Sequence, residues 1–244
     1  MSEKGAATAG LLIIGDEILS GRTQDRNIAH IAATLTDLGI DLEEVRVVRD
    51  WMADIVEAVR ALSARYRIVL TTGGIGPTHD DITADAVAEA FGVAVSQDPR
   101  AVALIEAHCA RMGLEVNESR LRMARIPEGA ELISNPVSAA PGFSIGNVHV
   151  MAGVPSIMQA MLDGLAPRLP TSARLLSETV DPGRPEGDIA GVLRQLQDAH
   201  PAVRIGSYPF HDGTRYLTRV VLRSRDAEAL KAARSDLDRA LARL

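Results

Sequence analysis

Lysine is nearly missing from this chain. Among 26 basic residues only Lys4 and Lys231 are lysine. Lys4 falls in an N-terminal stretch expected to fray, so lysine chemistry at a central site is not expected. Cysteine occurs once, at Cys109. No intrachain disulfide can form, which fits a reducing compartment. The pattern AVALIEAHCARMG is helical and reads Cys109 as a small core side chain rather than a nucleophile. There is no basic excess: formal net charge is −6 and the pI is about 5.5. A dedicated nucleic-acid binder is therefore not expected. No run approaches the roughly 18 apolar residues of a membrane span. The apolar stretch LLIIG is short and is followed at once by Asp16 and Glu17, so no signal peptide is expected. The reading is a cytoplasmic protein. Internal repeats and low-complexity segments are also lacking. A chain of 244 residues has room for a large core, or a medium and a small one, without disulfide or metal staples.

What is present is an alternation of apolar runs and amphipathic segments. LLIIG reads as a buried strand. DRNIAHIAATLTDLG places Ile28, Ile31, Ala32 and Leu35 on one helical face, with Gly39 as a stop. A strand over 40–48, the helix WMADIVEAVRALSARY, the strand RIVLTT and the helix TADAVAEAFG follow. Asp98 and Pro99 suit the start of the helix DPRAVALIEAHCARMG. NPVSAAPGF reads as a loop, and NVHVMAGVPSIMQAMLDGL as strand, turn and helix, with Pro155 at the helix start. Such alternation predicts a three-layer α/β/α domain with a mostly parallel sheet. APRLPTSA (166–173) reads as a linker. Beyond it the order is β-α-β-β-α, a small α+β module similar to a KH domain. The expected domains are 1–168 and 172–244. Residues 1–170 hold 14 basic and 22 acidic side chains, against 12 and 10 in residues 171–244. The tail carries no GXXG loop, so binding of nucleic acid by it is not expected.

Ligands of a parallel sheet bind at the carboxyl ends of its strands. Three acidic segments fall there: Gly15-Asp16-Glu17, Val48-Arg49-Asp50 and TTGGIGPTHDD (71–81). Glycines permit a close backbone approach, and successive N–H groups can form an anion nest. GGIG is neither G-x-G-x-x-G nor a P-loop, since no Gly-Lys-Ser/Thr follows. Without lysine, phosphate charge falls to backbone dipoles, arginine or a metal. Asp80 and Asp81 are then candidate ligands of Mg²⁺ or another divalent ion, such as Mn²⁺ or Co²⁺, that bridges to phosphate. Capping of the following helix accounts for one of the two, and capping of WMADIVEAV is the competing reading of Asp50. Asn27 is either a helix-surface amide or a ligand contact, and His79 is a solvated turn residue. Ser20 and Ser138 have no visible base partner, so a hydrolase triad is not supported.

GDEILSGRTQDRN, TTGGIGPTHDDITADAVAEAFG, RIPEGAELISNPVSAAPGF and AGVPSIM, in that order across roughly residues 10–165, resemble the MoaB/Mog molybdopterin-binding family. They are closer still to the N-terminal region of CinA-like proteins, and the tail is similar to the small module that follows it there. The resemblance does not extend to a deamidase domain, so nicotinamide-nucleotide deamidation is not implied. It implies a pocket for a pterin phosphate or a dinucleotide. In one branch that pocket binds molybdopterin; in the other it is linked to metal-dependent hydrolysis of ADP-ribose- or FAD-type pyrophosphates. By match to the family motif, Gly73, Gly74 and Gly76, with Thr72 before them, form the phosphate turn. Asp50 and Asp81 match the functional acids, and Asp16, Glu17 and Asn27 fall in the matching first loop. A homo-oligomer, dimer or trimer, is implied as well. The alternative is a non-catalytic protein that binds or transfers molybdopterin in molybdenum cofactor biosynthesis. Ala152, His79 and Ser138 depart from the family pattern, which bears on the substrate more than on the presence of a site.

Overall fold

The computed structural model describes residues 7–244, so Lys4 lies outside the described residues. The chain divides into two compact units, Met1–Ser172 and Ala173–Leu244. No described helix is long and apolar enough to cross a membrane.

The first unit runs β1 (Thr8–Ile14), α1 (Asp16–Leu19), α2 (Asn27–Asp37), β2 (Asp41–Val48), α3 (Met52–Arg65), β3 (Ile68–Thr72) and α4 (Thr83–Phe91). It continues with β4 (Val95–Gln97), α5 (Pro99–Met112), α6 (Glu118–Arg122), β5 (Arg125–Pro127), β6 (Glu131–Ile133), β7 (Gly142–Ile145), β8 (Val148–Met151) and α7 (Pro155–Leu165). Six of these strands form one sheet in the order β2-β1-β3-β8-β7-β6. β2, β1, β3 and β8 are parallel, while β7 and β6 run antiparallel. β4 and β5 make a separate two-stranded ribbon.

Side chains alternate across a strand, so β1 feeds two cores. Leu12 and Ile14 pack with Ile55, Val59, Leu62 and Val87 under α3 and α4. Leu11 and Ile13 pack with Ile31, Leu35, Met158 and Leu162 under α2 and α7. A strand buried on both faces must be apolar at every position, which is why β1 reads as an unbroken run. Truncating a fully buried leucine such as Leu12 would cost about 2–5 kcal/mol. The result is the expected three-layer α/β/α architecture. Asp98 caps α5 by accepting from the Arg100 amide, with Pro99 at the first helical position, and Cys109 is buried in the core. Pro155 opens α7.

The connection after β1 passes to α2 on one face, and the connection after β3 to α4 on the other. β1 and β3 are neighbours. The connections that leave their carboxyl ends therefore diverge to opposite faces, the topological switch point at which ligands bind in open α/β sheets.

Two local expectations are corrected. The stretch NPVSAAPGF is not all loop, because Gly142–Ile145 forms β7 and pairs with both β6 and β8. Nor is APRLPTSA an open linker throughout. Ala166–Arg168 forms a 3-10 turn, Leu169 is buried, and the Ser172 amide donates to Leu38 O at 3.0 Å.

The second unit has the order β9 (Leu176–Val180), α8 (Glu186–Ala199), β10 (Arg204–His211), β11 (Tyr216–Ser224) and α9 (Ala227–Leu241). Its antiparallel sheet, β10-β11-β9, packs Val220 and Leu222 against Ile189, Leu230 and Leu237 of the two helices.

Candidate functional site

At the end of β3 the backbone turns through two glycines in the left-handed region, Gly73 (φ 106°) and Gly74 (φ 67°). Space as well as dihedral excludes a side chain there. A Cβ on Gly73 would lie 2.1 Å from Ile14 O, and one on Gly74 would lie 2.1 Å from Thr83 Oγ1. The turn is pinned from both sides. The Gly73 amide donates to Met151 O at 3.1 Å, and Thr83 donates through its hydroxyl to Gly73 O and through its amide to Gly74 O, each at 3.0 Å. The amides of Gly74, Ile75 and Gly76 have no acceptor among the described residues. Three consecutive donors at a strand end are the elements from which an anion nest can be built.

The two aspartates after the turn do different work. One oxygen of Asp81 accepts from Thr78 twice, from the amide at 2.8 Å and the hydroxyl at 2.5 Å. This closes the loop and backs it against Gly76, whose Cβ would meet the carboxylate at 2.6 Å. Asp80 is exposed. Neither caps α4, contrary to expectation: the N-cap is Ile82, without a side-chain cap bond. The bond from the Thr83 amide to Gly74 O already satisfies a donor at the start of that helix, and the Asp81 acceptor is spent on Thr78.

Asp50 does not cap α3 either; the N-cap there is Trp51. Its carboxylate instead accepts the Asp16 amide at 2.9 Å, tying the end of β2 to the end of β1. Burial pushes the Asp50 carboxyl above the ordinary carboxylate range. The Asp16 amide pulls it back, while Glu17, Asp16 and Asp80 push it further up.

These loops enclose a cavity of about 490 Å³, within the size range of small-molecule sites. Glu17, Asp50, Asp80 and Asp81 line it, together with Gly73, Gly74 and Gly76. Ile14, Ile75, Met123, Val154 and Ile157 supply the apolar part of its lining. No lysine, arginine or histidine is among the lining residues. The cavity thus joins the glycine turn to four carboxylates without a basic side chain in its lining, while a much smaller pocket that shares Gly74, Ile75, Gly76 and Asp81 with it contains Arg122 and Arg125.

Three predicted residues do not line the cavity: Asp16, Asn27 and Thr72. Asp16 contributes its backbone amide. Thr72 is buried in the sheet. Asn27 is buried and donates to Gly153 O at 2.8 Å, fixing the loop that follows β8. Its Oδ1 is buried without a partner. Conversely, Asn135, Ser138 and Gly153–Pro155 line the cavity without having been singled out as site residues. Asn135 builds its own wall. Its Nδ2 donates to Ser138 Oγ (2.7 Å) and Ala140 O (2.8 Å), and its Oδ1 accepts the Val137 and Ser138 amides, each at 3.1 Å. Within that wall Ala139 is held at φ 61°, where a non-glycine residue is strained. The Asn-Pro pair at 135–136 is the turn signal that marks this wall in the sequence.

A metal would fit this donor set. Carboxylate oxygens suit a hard divalent ion, and four carboxylates line the cavity. No group of three or more His, Cys, Asp or Glu placed to hold a metal occurs among the described residues. An ion here would therefore take one or two carboxylates and draw its remaining oxygens from ligand and water.

A glycine turn and carboxylates around a cavity at the switch point of a three-layer sheet have the layout of a small-molecule-binding domain. Residues 10–171 match the family described as "Probable molybdopterin binding domain", and residues 174–243 match "FAD synthase, middle domain". A protein of Aeropyrum pernix is 36% identical over 96% of this chain and 90% of its own. A CinA-like protein of Myxococcus xanthus is 34% identical over 80% of this chain, which spans half of that longer protein. The crystal structure of CinA from Thermoplasma acidophilum, a protein of unknown function, is 34% identical. It superposes with a TM-score of 0.62 over 67% of this chain and 98% of its own. The chain belongs to the MoaB/Mog molybdopterin-binding-domain family, as a CinA-like member.

Proposed function

We propose that the first unit binds a phosphate-bearing dinucleotide or pterin together with a divalent cation, and hydrolyses a pyrophosphate of the ADP-ribose or FAD type. The observation that carries this is the combination of a glycine turn with four carboxylates and no basic side chain in one cavity. A phosphate group brought there alone would meet net negative charge. With a cation it meets a complementary site. Mg²⁺, Mn²⁺ or Co²⁺, held by one or two of Asp50, Asp80 and Asp81, would supply that charge neutralisation.

The chain's own residues do the rest. The Gly74–Gly76 amides bind the phosphate and stabilise charge that develops on it. Asp81 holds the turn through Thr78. Asp50, oriented by the Asp16 amide, accepts the proton of the attacking water as the water oxygen bonds to phosphorus and the bridging P–O bond breaks. Ile75, Met123 and Val154 receive the flat ring. The match of the second unit to the middle domain of FAD synthase supports a flavin- or adenine-containing ligand. By family resemblance the chain forms a dimer or trimer.

One observation favours the alternative of binding without hydrolysis: Asp81 spends an oxygen on Thr78, and no three-residue metal group is built in advance among the described residues. AMP release from ADP-ribose and FAD with each metal, in wild type, Asp50→Asn and Asp81→Asn, decides between them. Metal-dependent release that Asp50→Asn abolishes supports hydrolysis. Absence of release with every metal overturns it in favour of pterin or nucleotide binding.

A further inference from the structure

Behind the phosphate turn lies a second cavity, of about 300 Å³, bounded by Pro77, His79, Gln97, Ser119, Arg122 and Arg125, with Glu118 at its edge. Its electrostatics are the reverse of the first. The main cavity has carboxylates and no basic residue; this one gathers two guanidiniums and a histidine around a single acid. The contrast stands out in a region where acidic side chains outnumber basic ones by 22 to 14 across residues 1–170.

The two arginines are held differently. Arg125 is spoken for, since it forms an ion pair with Asp85. Arg122 forms no close ion pair among the described residues, and Asp80 feels its charge only as a weaker, longer-range effect. Arg122 donates through Nη2 to the backbone oxygen of Asp81 at 3.2 Å, a contact that is partly buried. Its Nε is buried without an acceptor, as is that of Arg125. A half-buried guanidinium with only a weakly coupled carboxylate and a buried Nε lacking an acceptor has capacity left for an anion that comes closer. His79, whose side chain is 99% exposed, stands at the mouth, where it can add a donor. Ser119 adds a hydroxyl.

We infer that this cavity is a second anion site that takes a phosphate or pyrophosphate group, with Arg122 as its principal ligand. Guanidinium recognises phosphate oxygens through paired N–H donors, and Arg122 keeps donors to spare beyond its bond to Asp81. Because the same side chain grips the Asp81 carbonyl, an anion on Arg122 is coupled to the loop that carries Asp80 and Asp81. The occupant is either a second phosphate group of the ligand in the main cavity or a free anion.

Pyrophosphate titration of the full chain by calorimetry in EDTA tests this. Without divalent ions the acidic main cavity repels the anion, so the titration isolates the arginine cavity. Two variants accompany wild type: Arg122→Gln removes the charge, and Ser119→Asp adds a negative charge from an exposed helical position. Wild-type binding in the millimolar range or tighter, weakened about tenfold or more by each variant with unchanged melting temperature, is expected for a charge-assisted contact. A second titration, with ADP-ribose in excess Mg²⁺ so that the main cavity can fill, separates the two sources: weakening by Arg122→Gln identifies a phosphate of the same ligand, and an unchanged affinity identifies a free anion. No pyrophosphate binding in wild type, or equal binding by wild type and both variants, overturns the inference. Neither result depends on whether AMP is released, so failure here is distinct from failure of the hydrolytic reading.

Discussion

Gly74→Ala should unfold the phosphate turn from within, and its cost can be built from the geometry. Alanine at φ 67° takes on left-handed strain of about 1–2 kcal/mol. Its Cβ would sit 2.1 Å from Thr83 Oγ1, so that hydroxyl must leave Gly73 O, to which it donates at 3.0 Å. Losing a buried hydrogen bond and stranding its partners adds about 1–3 kcal/mol. The sum, about 2–5 kcal/mol, is a large part of the about 5–15 kcal/mol that holds a domain together. A double-mutant cycle isolates the cause. Thr83→Ala alone should cost about 1–2 kcal/mol. The double variant should cost clearly less than the two singles added, by about 1.5 kcal/mol, because the clashing oxygen is already gone. The relief is incomplete, since the new Cβ still lies 3.2 Å from the Thr83 Cβ. Urea unfolding followed by Trp51 fluorescence reads this directly, because the chain's one tryptophan lies in the first unit. Costs that add within about 0.5 kcal/mol would refute the proposed clash.

The buried wall and the sheet give two further tests. Asn135→Ala removes all four side-chain hydrogen bonds that hold residues 137–140, including the strained Ala139. Ligand affinity should fall about tenfold or more while the far-ultraviolet circular dichroism is unchanged; unaltered affinity would show that this wall does not shape the site. His149, bonded to Ser144 at 2.8 Å, has its pKa pushed down to about 4 by burial and by the nearby Arg168. The unfolded chain then binds the extra proton, so the stability the neutral ring contributes is present above about pH 6.5 and lost as pH falls toward 4, by about 2–3 kcal/mol. His149→Gln should flatten that loss in urea midpoints measured between pH 4 and 7. An undiminished slope would place the acid sensitivity elsewhere.

The parts of the fold legible in the sequence were those with local causes. β1 and β3 are apolar because both faces are buried, and α2 and α3 repeat every 3.6 residues because one face is. β4, β5 and β6 have three residues each, too few to show a period, and they exist only through pairing with distant partners. β7 was hidden because glycine and proline beside it signal a turn, while its strand character comes from β6 and β8. The site follows the same division. Gly73, Gly74, Gly76, Glu17, Asp50, Asp80 and Asp81 sit at ends of legible strands and converge on one cavity. Asn135 and Gly153 reach it through the antiparallel return, which local pattern does not reveal. The roles of the two aspartates were obscured for another reason. Asp81 looks like a helix cap in sequence because it stands two residues before α4, yet its carboxylate bonds backward to Thr78.

The central claim is that a cavity with four carboxylates and no basic residue binds a phosphate-bearing ligand only in company with a divalent cation. Calorimetric titration of ADP-ribose into the full chain, in EDTA and again in excess Mg²⁺, tests it most directly, with Asp50→Asn/Asp80→Asn beside wild type. The account predicts that Mg²⁺ strengthens binding at least about tenfold in wild type, and that this gain disappears in the double variant. Equal or weaker affinity in Mg²⁺ than in EDTA would contradict it.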